Sequence, residues 1–415
     1  MYIKSLISLF LGLYIFGFLI NGLTPLKYIS LYIAIIAFIY YFIKNKNFVI
    51  AFYKNYFLTN KVLFIFFSLF IISVLLSIVF AFSDYLPSLK EFRITFLNIS
   101  IFMIIALGIQ DKKLTKILFY SIIFAFIFDV FVFAIHYIQK NPHLNFSIRL
   151  ERLFANYFEI LYPFILTSFF LFKKKLIKIL LSISLLFGFF DLILTGARGG
   201  WVSVITETIL FAIILIIIET KYLKKVIIYS LITISIFTLI FIYVYNNSTF
   251  IQTKFKQGIN PNGRGQIVKT RLPIFLKYGN FLTGIGGPGN YQYNKFLNHY
   301  EAPKQYGHFK GKKFHYFSDG PFLLQIFYKE GILGLISFLL FSFYFLWLGF
   351  KIILNKKIDI STKLLISAII ISFIGEYFIR GLVENRSFKY LIFYLTLFII
   401  FTYSKEKSEN SIYLS

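Results

Sequence analysis

A chain of 415 residues that is 58% hydrophobic and 21% aromatic, with a mean hydropathy of +0.77, is not a soluble domain. It contains no cysteine, which excludes disulfides and thiol catalysis. A net charge of +26 suggests nucleic acid, but in so apolar a chain it is better explained by loop lysines that orient membrane helices, with a polyanionic substrate as the second reading.

Apolar runs of about 20 residues, the length that crosses a hydrocarbon core of roughly 30 Å, recur along the chain. The first, 5–20, follows a single Lys4 and lacks a small-residue cleavage site, so it reads as a retained helix. The next eight are 27–43, 63–82, 94–109, 117–138, 154–172, 177–194, 201–218 and 226–245. Three more, 331–350, 364–380 and 390–403, follow a long polar interval. The expected fold is an all-α polytopic membrane protein of about twelve helices, with its one large loop between helices nine and ten. It divides into 1–245 (helices one to nine), 246–330 (a loop with short helices that caps the active site) and 331–415 (helices ten to twelve and a tail). No internal repeat is evident.

Lysine-rich stretches such as "DKKLTK", "KKKLIK" and "KYLKK" fall in alternate loops, as does "KNKNFVIAFYKNYFLTNK". The positive-inside rule makes these loops and both termini cytoplasmic, leaving 83–93, 139–153, 195–200, 246–320 and 381–389 outside. All eight arginines (Arg93, Arg149, Arg152, Arg198, Arg264, Arg271, Arg380 and Arg386) then fall on the outer side or its membrane boundary, as do the five histidines, His136, His143, His299, His308 and His315. Topology needs only positive charge. Guanidinium adds a planar fork of donors that matches phosphate and does not lose its proton. The asymmetry therefore points to an outer site for a phosphorylated ligand. The competing reading is that a lysine-favouring genome left eight arginines outside by chance, or that they pair with Glu and Asp there.

Four stretches carry candidate chemistry. In "LTGARGGWVS" Gly196, Gly199 and Gly200 permit close backbone approach, a helix from Trp201 aims its N-terminus outward, and Arg198 completes an anion cradle. The alternative is a tight turn with a snorkelling arginine. In "NPNGRGQIVKTRLPIFLKYGNFLTGIGGPGNYQ" Arg264 and Arg271 are seven apart and share a helix face, Pro273 ends or kinks that helix, and backbone amides of "GIGGPGNY" offer a phosphate site. In "GHFKGKKFHYFSDGPFLLQIFYKEGILGLI" His308, His315, Asp319 and Glu330 gather where the loop re-enters the membrane, and a His or carboxylate there suits a general base. Their spacing matches no compact metal-ligand set, so no metal is expected. In "RLERLFANYFEILYPFIL" Arg152 and Glu159 are seven apart, facing one cavity or simply packing an interfacial helix.

These four stretches, in this order, resemble the O-antigen ligase and O-antigen polymerase superfamily of polytopic glycosyltransferases. The resemblance runs over roughly 149–340. It rests on "TGARGG", on "GRGQIVKTRLPIFLKYGNFLTGIGGPGNY", on "PFLLQIFYKEGILGLI" and on "RLERLFANYFEILYPF". It implies transfer of a glycan from undecaprenyl pyrophosphate to an acceptor hydroxyl at the periplasmic face of the inner membrane. The acceptor is lipid A–core for a ligase and a second lipid-linked repeat unit for a polymerase. It further implies that Arg198 and Arg264, with Arg271, hold the pyrophosphate. Gly196, Gly199, Arg152 and Glu330 support them.

One departure stands out. The family's ligase histidine, about eleven residues before the first glycine of its G-x-x-G, falls on Gly320 when counted from Gly331. His315 and Asp319 are the nearest candidate bases. The expected function is thus a metal- and cofactor-independent, inverting O-antigen ligase with the polymerase as alternative, whose partners are the two glycan substrates and membrane lipids but no nucleic acid. A lipid-linked sugar flippase is the remote alternative, disfavoured because the spans look nearly free of mid-helix ionisable residues.

Overall fold

The computed structural model describes residues 2–20, 22–109, 112–141, 143, 148–219, 223–256, 264–304, 307–310, 313–316 and 320–403. Its helices are α1 (Tyr2–Leu19), α2 (Thr24–Thr59), α3 (Lys61–Val79), α4 (Leu86–Phe92), α5 (Asn98–Ile109), α6 (Lys112–Lys140), α7 (Leu153–Leu171) and α8 (Lys175–Leu194). Then come α9 (Arg198–Ile218), α10 (Leu223–Asn247), α11 (Thr249–Lys256), α12 (Arg264–Tyr278), α13 (Tyr291–His299), α14 (Phe322–Leu354), α15 (Ile360–Phe373) and α16 (Lys389–Tyr403). One antiparallel hairpin, β1 (Gly307–Lys310) and β2 (Lys313–Tyr316), pairs His308 with His315.

Among the described residues ten helical stretches are long and apolar enough to cross a membrane, or eleven if α10 and α11, bent by 105°, count as one span; α16 is a shorter apolar helix. The chain is an all-α polytopic membrane protein, as its composition requires. Helices α7, α15 and the shorter α16, whose residues from Tyr390 to Phe401 are all buried, form the centre. The α7 span is 78% buried and that of α15 is 83% buried, whereas the other spans bury half of their residues or fewer and show Leu, Ile and Phe outward. Lipid is as apolar as these side chains, so polar contacts and close packing hold the centre together. Ser372 Oγ, for example, donates to Ile160 O at 2.7 Å and lies 2.7 Å from the Tyr394 hydroxyl, joining α15 to α7 and α16.

Three boundaries differ from expectation. The lysine-rich stretch after residue 43 is helix, continuing α2 through a kink at Asn45, because Val49, Phe52 and Tyr56 find buried positions. The expected outer loop 83–93 is largely α4, which runs through a π-helical turn (Arg93–Leu97) into α5. Helix α14 starts at Phe322, nine residues before the expected Gly331, because Gln325, Lys329 and Glu330 are buried against the cap rather than solvated.

Helix α14 is broken at Gly331 (φ +68°), a conformation that favours glycine. The turn around residues 281–287 fills the break. Ile285 N donates to Tyr328 O at 3.0 Å, and Gly286 N and Gly287 N donate to Lys329 O at 3.2 and 3.1 Å. In return Ile332 N and Leu333 N donate to the carbonyls of Phe281 and Leu282 at 3.0 and 3.2 Å. The carbonyls of Tyr328 and Lys329 and the amides of Ile332 and Leu333 thus gain protein partners, the condition for irregular backbone in a membrane span. Above the break α12, α13 and the hairpin enclose their own core of Phe275, Tyr293, Phe296, Leu297 and Tyr316, which Tyr328 of α14 enters from below.

The spans are not free of ionisable residues. Asp129, Glu159, Asp191, Glu207, Glu330 and Glu376 are all buried within them. This corrects the sequence reading: these carboxylates face the bundle interior, which is why they are tolerated in apolar helices.

Candidate functional site

The stretch from Thr195 begins with a left-handed turn at Gly196 (φ +62°), and α9 starts at Arg198, three residues earlier than expected. A Cβ on Gly196 would meet the Phe250 ring of α11 at 2.8 Å. A Cβ on Gly199 would lie 3.0 Å from Val383, and one on Gly200 would lie 3.3 Å from Ala155. The neighbours these glycines admit are protein groups, so the start of α9 packs tightly against α7 and the chain after α15.

Immediately behind lies a buried ion network. Arg380 is 1% exposed; its Nη1 donates to Glu159 Oε2 at 2.5 Å and to Ala155 O at 2.8 Å, its Nε donates to Glu384 Oε2 at 3.0 Å, and its Nη2 donates to Asn156. Arg386 donates to the other oxygen of Glu159 at 2.5 Å and to Glu376. Arg152 closes the set from the surface on Glu384 Oε1 at 2.8 Å. Burial pushes the Glu384 carboxyl up, but Arg380, Arg152 and Arg386 outweigh it and hold it below the ordinary carboxylate range. Burial likewise opposes the Arg386 charge, and Glu159, Glu376 and Glu384 overcome it and raise its pKa. Three arginines here meet three glutamates.

On the open side of that network cations face cations. Arg149 Nε donates to Thr195 O at 2.9 Å, and its guanidinium carbon stands 5.9 Å from the Phe250 ring. Lys254 reaches the same ring at 6.0 Å, and Arg198 Nη1 lies 3.5 Å from the Lys254 carbonyl. Burial lowers the Lys254 pKa, and repulsion from Arg149, Arg198 and Arg152 lowers it further. The Arg149 pKa also falls, through burial and Arg152, with Glu384 offsetting part of the shift. An arrangement that depresses its own cations favours a bound anion.

The remaining sequence candidates lie in the cap. Arg271 is 1% exposed; its Nη1 donates to the Tyr293 hydroxyl at 2.8 Å and its guanidinium sits 5.1 Å from the Tyr316 ring. Arg264 is the first residue of α12. His315 is half-buried on β2, and Asp319 lies outside the described residues. Glu330 is fully buried beside the Gly331 break, with neither oxygen hydrogen-bonded among the described residues. The glycine-rich turn had suggested amides for phosphate, but those of Ile285, Gly286 and Gly287 are bonded to α14 instead. The structure therefore gathers Arg152, Arg198, Gly196 and Gly199 in one place and sets Arg271 apart in the cap core.

Residues 183–339 match the family model Wzy_C, O-Antigen ligase. That stretch of the chain is similar to the family. That segment holds α9 with Arg198, α11 with Lys254, the whole cap and the Gly331 break, and it supports assignment to the O-antigen ligase and polymerase superfamily with activity of that type. Comparison with curated proteins and with solved structures finds no match.

The sequence placed Arg149 among the outer arginines without giving it a role, and gave no sign of Lys254, which lies 105 residues away and meets it beside Phe250. Sequence reasoning also missed the partners of Glu159. The available signal was acidic residues inside apolar runs, Glu159 and Glu376, which require a cation from elsewhere.

Proposed function

We propose that this protein is an inverting, metal-independent O-antigen ligase that moves a glycan from undecaprenyl pyrophosphate to a hydroxyl of lipid A–core at the periplasmic face of the bacterial inner membrane. The cation cluster of Arg149, Arg198 and Lys254, the last two within the stretch that matches the O-antigen ligase family, carries this reading. The pyrophosphate leaving group gains charge as the sugar bond breaks, and fixed guanidiniums stabilise that gain. Arg198 offers the fork, Arg264 joins it from the start of α12, and Arg152 with Gly196 and Gly199 fixes their setting. Arg271 acts from within the cap by holding Tyr293 and Tyr316 in place, and Glu330 anchors the cap to α14.

In the proposed reaction the acceptor hydroxyl gives its proton to His315 or Asp319. Its oxygen attacks the anomeric carbon from the face opposite the leaving group. The bond from that carbon to the phosphate oxygen breaks, and the electron pair leaves with the pyrophosphate.

Deleting the gene and separating surface polysaccharide on a gel tests the reading. Accumulation of full-length lipid-linked polymer is the expected result. Single repeats attached to core would instead identify the polymerase, and an unchanged profile would overturn both. A reconstituted protein that moves lipid-linked glycan across liposomes without transferring it would make this a flippase.

A further inference from the structure

A cavity of about 270 Å³ borders the ion network at Arg386 and is lined by none of Arg149, Arg198 and Lys254. It opens between α4, the Pro288–Asn290 turn of the cap, the first turns of α14 and residues 385–388. Its volume falls just under the usual range for small-molecule sites, about 300–1,000 Å³, and suits a single ring rather than a chain.

The wall chemistry decides what fits. Gln325 is 1% exposed, yet neither its amide nitrogen nor its oxygen has a partner among the described residues. Nε of Arg386 is also buried without a partner there. Leaving such groups unmatched costs about 1–3 kcal/mol each, so they mark places where something else supplies the bond. Glu91 adds acceptor oxygens, Asn385 adds a further amide, and Asn290 Oδ1 accepts from Lys329 Nζ at 3.0 Å. Glu91 offsets Lys329, and Arg386 is already matched by Glu159 and Glu376. The cavity is thus nearly neutral, with donors and acceptors interleaved. A phosphate would find a carboxylate facing it. A polyol, whose every hydroxyl both donates and accepts, suits an amide that needs both.

We infer that this cavity is a pyranose subsite, with Gln325 and Glu91 as its hydroxyl-reading residues. The inference rests on the glycosyltransferase reading and assigns the sugar a place distinct from the pyrophosphate. Arg386, which lines the cavity, lies 4.0 Å from Glu384, the ion-pair partner of Arg152.

The test uses the purified full-length protein in detergent. It is titrated with methyl glycosides of glucose, galactose and N-acetylglucosamine, and separately with inorganic pyrophosphate, and binding is read from the melting temperature. At least one glycoside should give a saturable shift, and Gln325→Leu and Glu91→Gln should each weaken it by about tenfold, the value of one or two hydrogen bonds. The pyrophosphate response should not change in either variant. Gln325→Leu without ligand should melt no lower than the parent, because the unmatched amide is gone; a purely structural glutamine would lower it. Turnover with lipid-linked donor and acceptor distinguishes the source of the sugar: a raised KM for the acceptor places its ring in the cavity, and a raised KM for the donor places the donor's ring there. No glycoside shift in the parent, or unchanged binding in both variants, overturns the inference. A missing pyrophosphate response instead sinks the pyrophosphate site and leaves this inference standing.

Discussion

Two groups of arginines share one end of the bundle and do opposite things. Arg380 and Arg386 are buried and matched by Glu159, Glu376 and Glu384. Arg149 and Arg198 gather with Lys254 around Phe250 and depress that lysine's pKa. The same guanidinium is a structural clamp where carboxylates match it and, in the function proposed above, a ligand site where cations crowd it. Arg152 joins the two, ion-paired to Glu384 yet close enough to repel Lys254.

The comparison fails if the matched group is not structural. Arg380→Ala should destabilise the protein by about 3–5 kcal/mol, because the buried Glu159 then keeps only Arg386 of its two guanidinium partners; denaturant unfolding in detergent measures this, and a loss under about 1 kcal/mol would remove the network from the stability account. Arg198→Lys should leave unfolding nearly unchanged but cut turnover by about a hundredfold, since a point charge does not replace a bidentate fork. Steady-state transfer rates check it, and near-normal turnover would take Arg198 out of the site.

His315→Ala and Asp319→Asn tell whether proton transfer belongs to the cap rather than to either arginine group. One of them should lower the rate by at least about tenfold. Neither doing so would leave the base elsewhere.

Stability against pH sharpens the comparison further. The folded-state pKa of Glu384 lies below its unfolded value, so its contribution is present above the ordinary carboxylate range and is lost as pH falls through the lowered value. Melting temperature should drop on the acid side, and less steeply in Glu384→Gln. Lys254 has the opposite sense: its folded pKa is lowered, so the unfolded chain holds the extra proton and stability rises with pH through that window. Lys254→Met should therefore stabilise the ligand-free protein, by roughly 0.5 kcal/mol or less because this half-buried site is still screened by solvent. It should also weaken the response to pyrophosphate.

Much of the fold was legible because apolar length and lysine placement are local signals. The α7 to α9 segment reads almost residue for residue, with Arg198 at the turn. Contacts made over long separations were not legible. Lys329 and Glu330 look like the end of a solvated loop, and only Asn290, 39 positions earlier, and the Gly284 turn explain their burial. Arg271 and Arg264 share a spacing that suggests one face, but Arg271 turns into a tyrosine-lined core that no pattern within α12 announces. The eight arginines pointed to one anionic ligand, whereas the carboxylates that match three of them come from α7 and from the turns that follow α15.

The break at Gly331 has a consequence for how the chain is assembled. Helix α14 carries carbonyls and amides that lipid cannot bond, and their partners lie in the turn just before the cap's α13. That turn is synthesised ahead of α14, so it is present when the helix enters the bilayer. A soluble segment therefore completes a membrane helix, and settling of the cap and burial of α14 are a single event.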